Sequence, residues 1–324
     1  MSKRPGDLGE FGLIRALTGG LRPGEGIIQG IGDDCAVIEA GGAQLLLTCD
    51  ASLEGVHFHR NWGAPHDLGW KAAASAISDI AAMGGRARHV LVTLALPPDA
   101  PLEFVKAFYA GVADAVEQCD AAIIGGDTTA SASGIVADIT VIGDVPGRAV
   151  FRQGAESGDL IAVTGVPGRR GAGLYALLHG IDAPEYIQAY LKPLPRLAEG
   201  QWLQARDEVH AMIDISDGIL PDAQHIATAS GVGIDLDADE LPADPSLDTF
   251  WGDQDRISPE ERLRSGEEYE LLVALAPEEA TAVCGAFEVA FGLPLTPIGR
   301  CVRDFQGVRI NGEIPERAGF EHFG

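Results

Sequence analysis

The chain has 324 residues, 46% hydrophobic and 22% charged, with 23 Lys and Arg against 48 Asp and Glu for a formal charge of −25. That length favours two domains with a large core, and the hydrophobic content excludes disorder on a large scale. So acidic a surface repels a nucleic-acid backbone, and an anionic substrate would need metal ions as intermediaries.

Cys35, Cys49, Cys119, Cys284 and Cys301 are scattered, odd in number and form no Cys-x-x-Cys pair, so neither a disulfide framework nor a zinc site is suggested. Residues 1–12 lack the apolar core of a signal peptide, and no run approaches about 18 apolar residues. The expectation is a reduced, soluble, cytoplasmic protein.

In chain order, residues 11–18 place Leu13, Ile14 and Leu17 along one helical face before Gly19-Gly20 stops the helix. Gly30-Ile31-Gly32-Asp33-Asp34 follows. Its adjacent carboxylates repel unless a cation or hydrogen-bond donors offset them, and it reads equally as a solvated acidic turn. Residues 44–49 read as a buried strand ending at Asp50, and strand ends are where α/β proteins place ligands. His57 lies just beyond, as an anion contact or a hydrogen-bonded structural residue. Asp67 is placed to cap a helix over 68–83 whose small, apolar middle suits burial on most sides. Asp79 is the exception there: a buried carboxylate needs Lys71, a backbone group or a metal as partner.

Residues 89–96 read as a strand and 102–119 as a helix with Phe104, Val105, Phe108, Val112 and Val116 facing the core. The apolar run 121–124 then enters Gly125-Gly126-Asp127-Thr128-Thr129. Paired glycines after a strand let the backbone approach a bulky anion, and the aspartate supplies a hard oxygen ligand; the same residues also form ordinary turns. Residues 134–145 alternate as a strand with one covered face, and Pro146-Gly147 marks a domain boundary.

Arg152, just beyond it, is placed to fork a phosphate. After a strand at 160–164, four glycines and Arg169-Arg170 precede a helix and make a tolerable anion site, without P-loop spacing or a complete Gly-x-Gly-x-x-Gly. Residues 209–213 form a strand running into Asp214-Ile215-Ser216-Asp217-Gly218. Ser216 or Asp217 would cap the following helix, and capping does not need both aspartates. Residues 239–255, acidic around Trp251, read as an irregular, mobile insertion. Gly266-Glu267-Glu268-Tyr269-Glu270 leads into a strand at 271–275. Asn311-Gly312 signals a hairpin turn, and Phe320 is a terminal anchor or a platform over a substrate ring.

The order of these motifs resembles the thiamine-monophosphate kinase family, within the aminoimidazole-ribonucleotide-synthetase-like superfamily of ATP-binding enzymes. Gly30 to Asp34, Asp50, Gly55-Val56-His57-Phe58, Ser78 to Gly84, Gly125 to Thr128, Asp214 to Gly218, Gly266 to Leu271 and Gly319 to Phe323 carry the likeness. The resemblance implies an α/β (α+β) fold of two domains: 1–148, binding ATP and Mg2+ and dimerising through its sheet, and 149–324, covering the nucleotide. It implies several magnesium ions held by Asp34, Thr48, Cys49 (through its backbone), Asp50, Asp79, Asp127, Asp214 and Asp217. By the same token ATP is contacted by Tyr109, Gly126, Arg152 and Ser216, and thiamine monophosphate by His57, Glu267 and Phe320. Cys49, Glu268, Ser265 and Phe320 depart from the family's usual Thr, Asp, Gly and Tyr.

The residues agree with direct in-line transfer of the γ-phosphoryl group of ATP to thiamine monophosphate, in a homodimer binding neither nucleic acid nor membrane. The acceptor is already an anionic oxygen, so no strong base is required and no catalytic side chain is assigned. The alternatives are another ATP-dependent synthetase of the superfamily and a non-catalytic ATP- or metal-binding protein.

Overall fold

In the computed structural model, which describes residues 4–22 and 24–315, the hydrophobic periodicities resolve into two six-stranded sheets with helices packed against them. The first half runs α1 (Gly9–Thr18), β1 (Ile27–Gln29), β2 (Ala36–Ala40), β3 (Ala43–Leu53), α2 (Pro65–Ala82), β4 (Arg86–Leu96), α3 (Leu102–Gln118), β5 (Ala122–Ala130) and β6 (Val136–Asp144). The second continues with β7 (Leu160–Thr164), α4 (Arg169–His179), α5 (Pro184–Leu191), α6 (Leu197–Gln204), β8 (Val209–Asp214), α7 (Ile219–Ser230) and β9 (Gly233–Leu236). It ends with α8 (Pro245–Asp253), α9 (Ser258–Arg264), β10 (Leu271–Leu275), α10 (Ala280–Phe291), β11 (Leu295–Val302) and β12 (Gly307–Ile310).

The first sheet has the order β1-β2-β3-β6-β4-β5, antiparallel except for the β4–β5 pair. Parallel neighbours need a crossover, and α3 supplies it. Strand β6 alternates buried and half-buried residues along its whole length, with Ala137, Ile139 and Val141 in the core. Helix α2 lies in that core, with Ala73, Ala74, Ala76, Ile77 and Ile80 inaccessible to solvent. Its small residues permit close packing on both flanks: a Cβ on Gly69 would fall 1.9 Å from the Phe108 carbonyl oxygen of α3, and one on Gly111 1.8 Å from the His66 carbonyl oxygen.

The second sheet has the order β12-β9-β11-β7-β10-β8, and its central strands β7 and β10 are buried almost throughout. The halves are latched by Ser78 of α2, whose hydroxyl donates to Asp214 at 2.6 Å, and by Trp70, whose indole N–H donates to the Pro193 carbonyl at 2.8 Å.

Several boundaries differ from the sequence reading. The helix expected from 68 begins at Pro65 after Ala64; Asp67 sits in its first turn, near His66 and Lys192, and is not the cap. The segment 239–255 is not irregular: Asp244 caps α8 by accepting from the Ser246 and Leu247 amides, and the helix turns Leu247, Phe250 and Trp251 inward. Trp251 is 2% exposed and packs edge-on against Tyr175. All five cysteines are free.

Candidate active site

Helix α2 sets one wall of the site. Residues four apart lie on one helical face, and Lys71, Ser75 and Asp79 all line a cavity of about 300 Å³ at the junction of the two halves. Asp50 and His57 line it from the first half, and Asp214, Ser216, Asp217 and Glu267 from the second. Strand alternation puts Thr48 and Asp50 on one face of β3 and the Cys49 thiol on the other, so Cys49 would serve only through its backbone.

The acidic end is built around Asp34, Asp79 and Asp214, each offering an oxygen within 4.8 Å of the others. The Thr48 hydroxyl donates to Asp79, Ser78 to Asp214, and the Arg152 guanidinium to Asp34 through Nε at 3.2 Å and Nη2 at 2.5 Å. Arg152 also donates its backbone N–H to Asp33. One arginine does not neutralise this set. Burial, then its aspartate neighbours, holds Asp79 well above the ordinary carboxylate value; burial and Asp34 push Asp214 up to about 7, and the same causes put Asp33 at about 7. Asp34 Oδ2 is buried without a hydrogen-bond partner. Clustered carboxylate oxygens with an unspent lone pair are the donor set that Mg2+ takes, so the residues fit a hard divalent cation.

A pH dependence follows. Between the ordinary aspartate value of 3.8 and about 7, folded Asp33 and Asp214 keep protons that the unfolded chain has lost. Metal-free stability therefore falls as pH rises through that window. Glu268, raised to about 7 chiefly by burial, acts in the same direction. The carboxylates held low, Asp144 and Glu270 by arginines and Asp244 by the Ser246 hydroxyl and Leu247 amide before Arg169, act only at lower pH, while His225, lowered to about 4 chiefly by burial, opposes the trend below its ordinary value of 6.5 without matching the three acids. Melting temperature in EDTA is expected to drop between about pH 5 and pH 7, and MgCl2 to offset the drop by binding the ionised form.

Sequence reasoning missed Asp222. Fully buried, it accepts from the Ser216, Asp217 and Gly218 amides at 3.1, 3.3 and 3.1 Å. It therefore holds the start of α7, the role expected of Ser216 or Asp217. Tyr190, Tyr269, Ser75 and Glu10 are further lining residues with no motif to announce them.

Three other expectations are corrected. Asp50 does not end a strand; β3 runs on to Leu53. Gly125-Gly126-Asp127 is no loop after a strand but the middle of β5, paired in parallel with β4. Gly126 is required there because a Cβ would fall 1.9 Å from the Val92 carbonyl oxygen, at a φ of +152°. The glycine-rich entry to α4 holds no free anion site: Gly171 N–H donates to Glu268 at 2.8 Å, and Arg170 and Arg196 both pair with buried Glu270.

The structure thus gathers Asp34, Thr48, Asp50, Asp79, Asp214, Asp217, Ser216, Arg152, His57 and Glu267 at one place. Asp127 is exposed on edge strand β5, and neither it, Gly126 nor Tyr109, 38% exposed on α3, lines the cavity. Phe320 lies outside the described residues.

Residues 32–145 match the family described as AIR synthase related protein, N-terminal domain, and residues 156–310 its C-terminal domain. Fold and acidic interdomain cavity thus define a two-domain α/β protein of the AIR synthase-related class. It is 35% identical to the thiamine-monophosphate kinase of Aquifex aeolicus over 98% of this chain and 99% of that one. To the enzyme of Escherichia coli K12 it is 36% identical over 97% and 98%. A solved structure, AaThiL complexed with AMPPCP and TMP, superposes with a TM-score of 0.89 at 34% identity, covering 99% of each chain. The chain belongs to the thiamine-monophosphate kinase family.

Proposed function

We propose that the chain transfers the γ-phosphoryl group of ATP to thiamine monophosphate, giving thiamine diphosphate and ADP. The observation that carries this reading is the convergence of Asp34 from the β1–β2 loop with Asp79 of α2 and Asp214 of β8, from both halves, at one end of a cavity lined by Asp79, Asp214, His57 and Glu267. The relative solved with AMPPCP and TMP supports both substrates.

Asp34, Asp50, Asp79, Asp214 and Asp217 would hold magnesium, with Thr48, Cys49 and Asp127 as the remaining positions the family resemblance implies. Bound there, Mg2+ screens the repulsion between two phosphate groups and polarises the transferred one. The chain's own residues do the positioning. Arg152 fixes Asp34 and offers a guanidinium to phosphate oxygens; Ser216 and Asp217 are held at the mouth of α7 by Asp222. His57 receives the Leu53 N–H on Nδ1 at 3.0 Å, which orients its ring at the cavity wall. In-line attack by the substrate's phosphate oxygen needs no enzyme base, because that oxygen is already anionic near neutral pH.

The division at 148/149 falls between β6 and β7, where one sheet gives way to the other. The uncovered edge β5, with Ile124 56% exposed, is the surface through which two copies would pair, and it carries Gly126 and Asp127. Among the described residues no helix is long and apolar enough to cross a membrane, and free cysteines suit the cytoplasm.

The test is purified protein with MgATP and either thiamine monophosphate or unphosphorylated thiamine, followed by chromatography. Thiamine diphosphate and ADP in equal amounts from the monophosphate alone are expected; ADP without a phosphorylated acceptor would overturn the reading.

A further inference from the structure

Lys71 is a buried lysine that the phosphate chemistry does not use. Its side chain is 7% exposed, it forms an ion pair with Glu267 across the two halves, and its ammonium lies 4.6 Å from the centre of the Tyr190 ring. Tyr190 is in turn fixed by its hydroxyl, which donates to the His57 carbonyl at 3.1 Å. Glu267 is equally constrained, with a φ of +66° and its N–H donated to the Ser216 carbonyl at 2.6 Å. Both partners line the cavity.

A buried ion pair contributes little stability compared with apolar residues of the same shape. Its use therefore lies in what the cavity admits. Lys71 and Asp79 are eight residues apart on one helix, so their Cα atoms are separated by roughly 12 Å along α2. A ligand with phosphate at the Asp79 end and an extended organic body reaches Lys71 with its far end. The geometry points to the Lys71–Glu267 pair as the specificity-determining reader of the acceptor's aminopyrimidine edge, Glu267 accepting from the 4′-amino group and Lys71 donating to the adjacent ring nitrogen. The pair is neutral overall and so does not repel the thiazolium cation between the two ends. This inference rests on the proposed function and names the residue, Lys71, that completes it.

The probe is thiamine monophosphate compared with its analogue bearing oxygen in place of the 4′-amino nitrogen. In the analogue the adjacent ring nitrogen carries a proton and the exocyclic atom accepts, so both hydrogen bonds are inverted. The full chain is expected to prefer the amino compound by about tenfold or more in kcat/KM, because inverted partners leave buried groups unpaired. Lys71→Met should raise KM for thiamine monophosphate about tenfold, leave KM for MgATP within about twofold, and reduce the preference to about threefold or less. Glu267→Gln, whose amide presents either a donor or an acceptor, should relax the same preference and serves if Lys71→Met fails to fold. An unchanged preference in the variants, while the parent turns over thiamine monophosphate, sinks this inference alone. Failure of the parent to phosphorylate either compound sinks the proposed function with it.

Discussion

Asp79→Asn is expected to lower kcat/KM for phosphoryl transfer by about 10³-fold or more while raising the melting temperature of the metal-free protein. Loss of one principal electrostatic element in phosphoryl transfer has effects of that order. The rise in stability follows from the surroundings: Asp79, half-buried at the acidic end of the cavity, faces Asp34 and Asp214, and among the described residues it is the Thr48 hydroxyl that opposes the repulsion. Asparagine keeps an acceptor for Thr48 and removes the charge. In EDTA the variant should melt at least about 2 °C higher than the parent; in saturating MgCl2 the order should reverse, because the parent alone gains from binding. Differential scanning fluorimetry with and without MgCl2 reads both. A variant that melts lower in EDTA would show that the carboxylate is held by partners within the chain, against a cation site.

Much of this site was legible because its chemistry is local in sequence. The one carboxylate in the apolar run of α2 declares itself by contrast with Ala74, Ala76 and Ile77, and burial then forces a partner. Asp214 at the end of β8 is legible for a similar reason, since an apolar strand stops at it. The Gly125-Gly126-Asp127 segment was misread because a glycine required by close approach to a neighbouring strand carries the same local signal as one required by a turn. Only the pairing with Val92 decides it, and that is tertiary.

Asp222 left a signal in the acidic first turn of α7, as Asp244-Pro245 did at the start of α8. In the second case the acidity of the surrounding segment hid a helix start that the dipeptide specifies. Lys71 was considered as a partner for Asp79; two helical turns separate them, and Glu267, distant in sequence, takes the lysine instead. Phosphate-end residues are thus announced by motif, whereas cavity-wall residues such as Tyr190 and Ser75 are placed by packing.

Packing also sets the position of the whole α2 face, and Gly111→Ala should show how tightly. Gly111 of α3 abuts the first turns of α2, where an added Cβ would lie 1.8 Å from the His66 carbonyl oxygen and 2.9 Å from the Trp70 amide nitrogen. Both are backbone atoms, so no side-chain rotation relieves the clash, and the helices must separate. His66, which reaches Asp114 of α3 at 2.8 Å, would be dragged from its partner. The expected destabilisation is about 3 kcal/mol, at the upper end for overpacked sites. Because Lys71 follows Trp70 directly, the shift enters the cavity, and a displacement of about 1 Å can cost about 10²-fold in rate. Turnover should therefore fall further than the folded fraction accounts for. Gly285→Ala is the matched control: exposed in α10 with nothing within 4 Å of its Cβ, it should gain about 0.5–1 kcal/mol from helix propensity and leave turnover alone. If Gly111→Ala instead melts with the parent and keeps its kcat/KM, the α2–α3 contact does not fix the cavity, and the placement of Lys71 and Asp79 must be set by β3 and the second half of the chain.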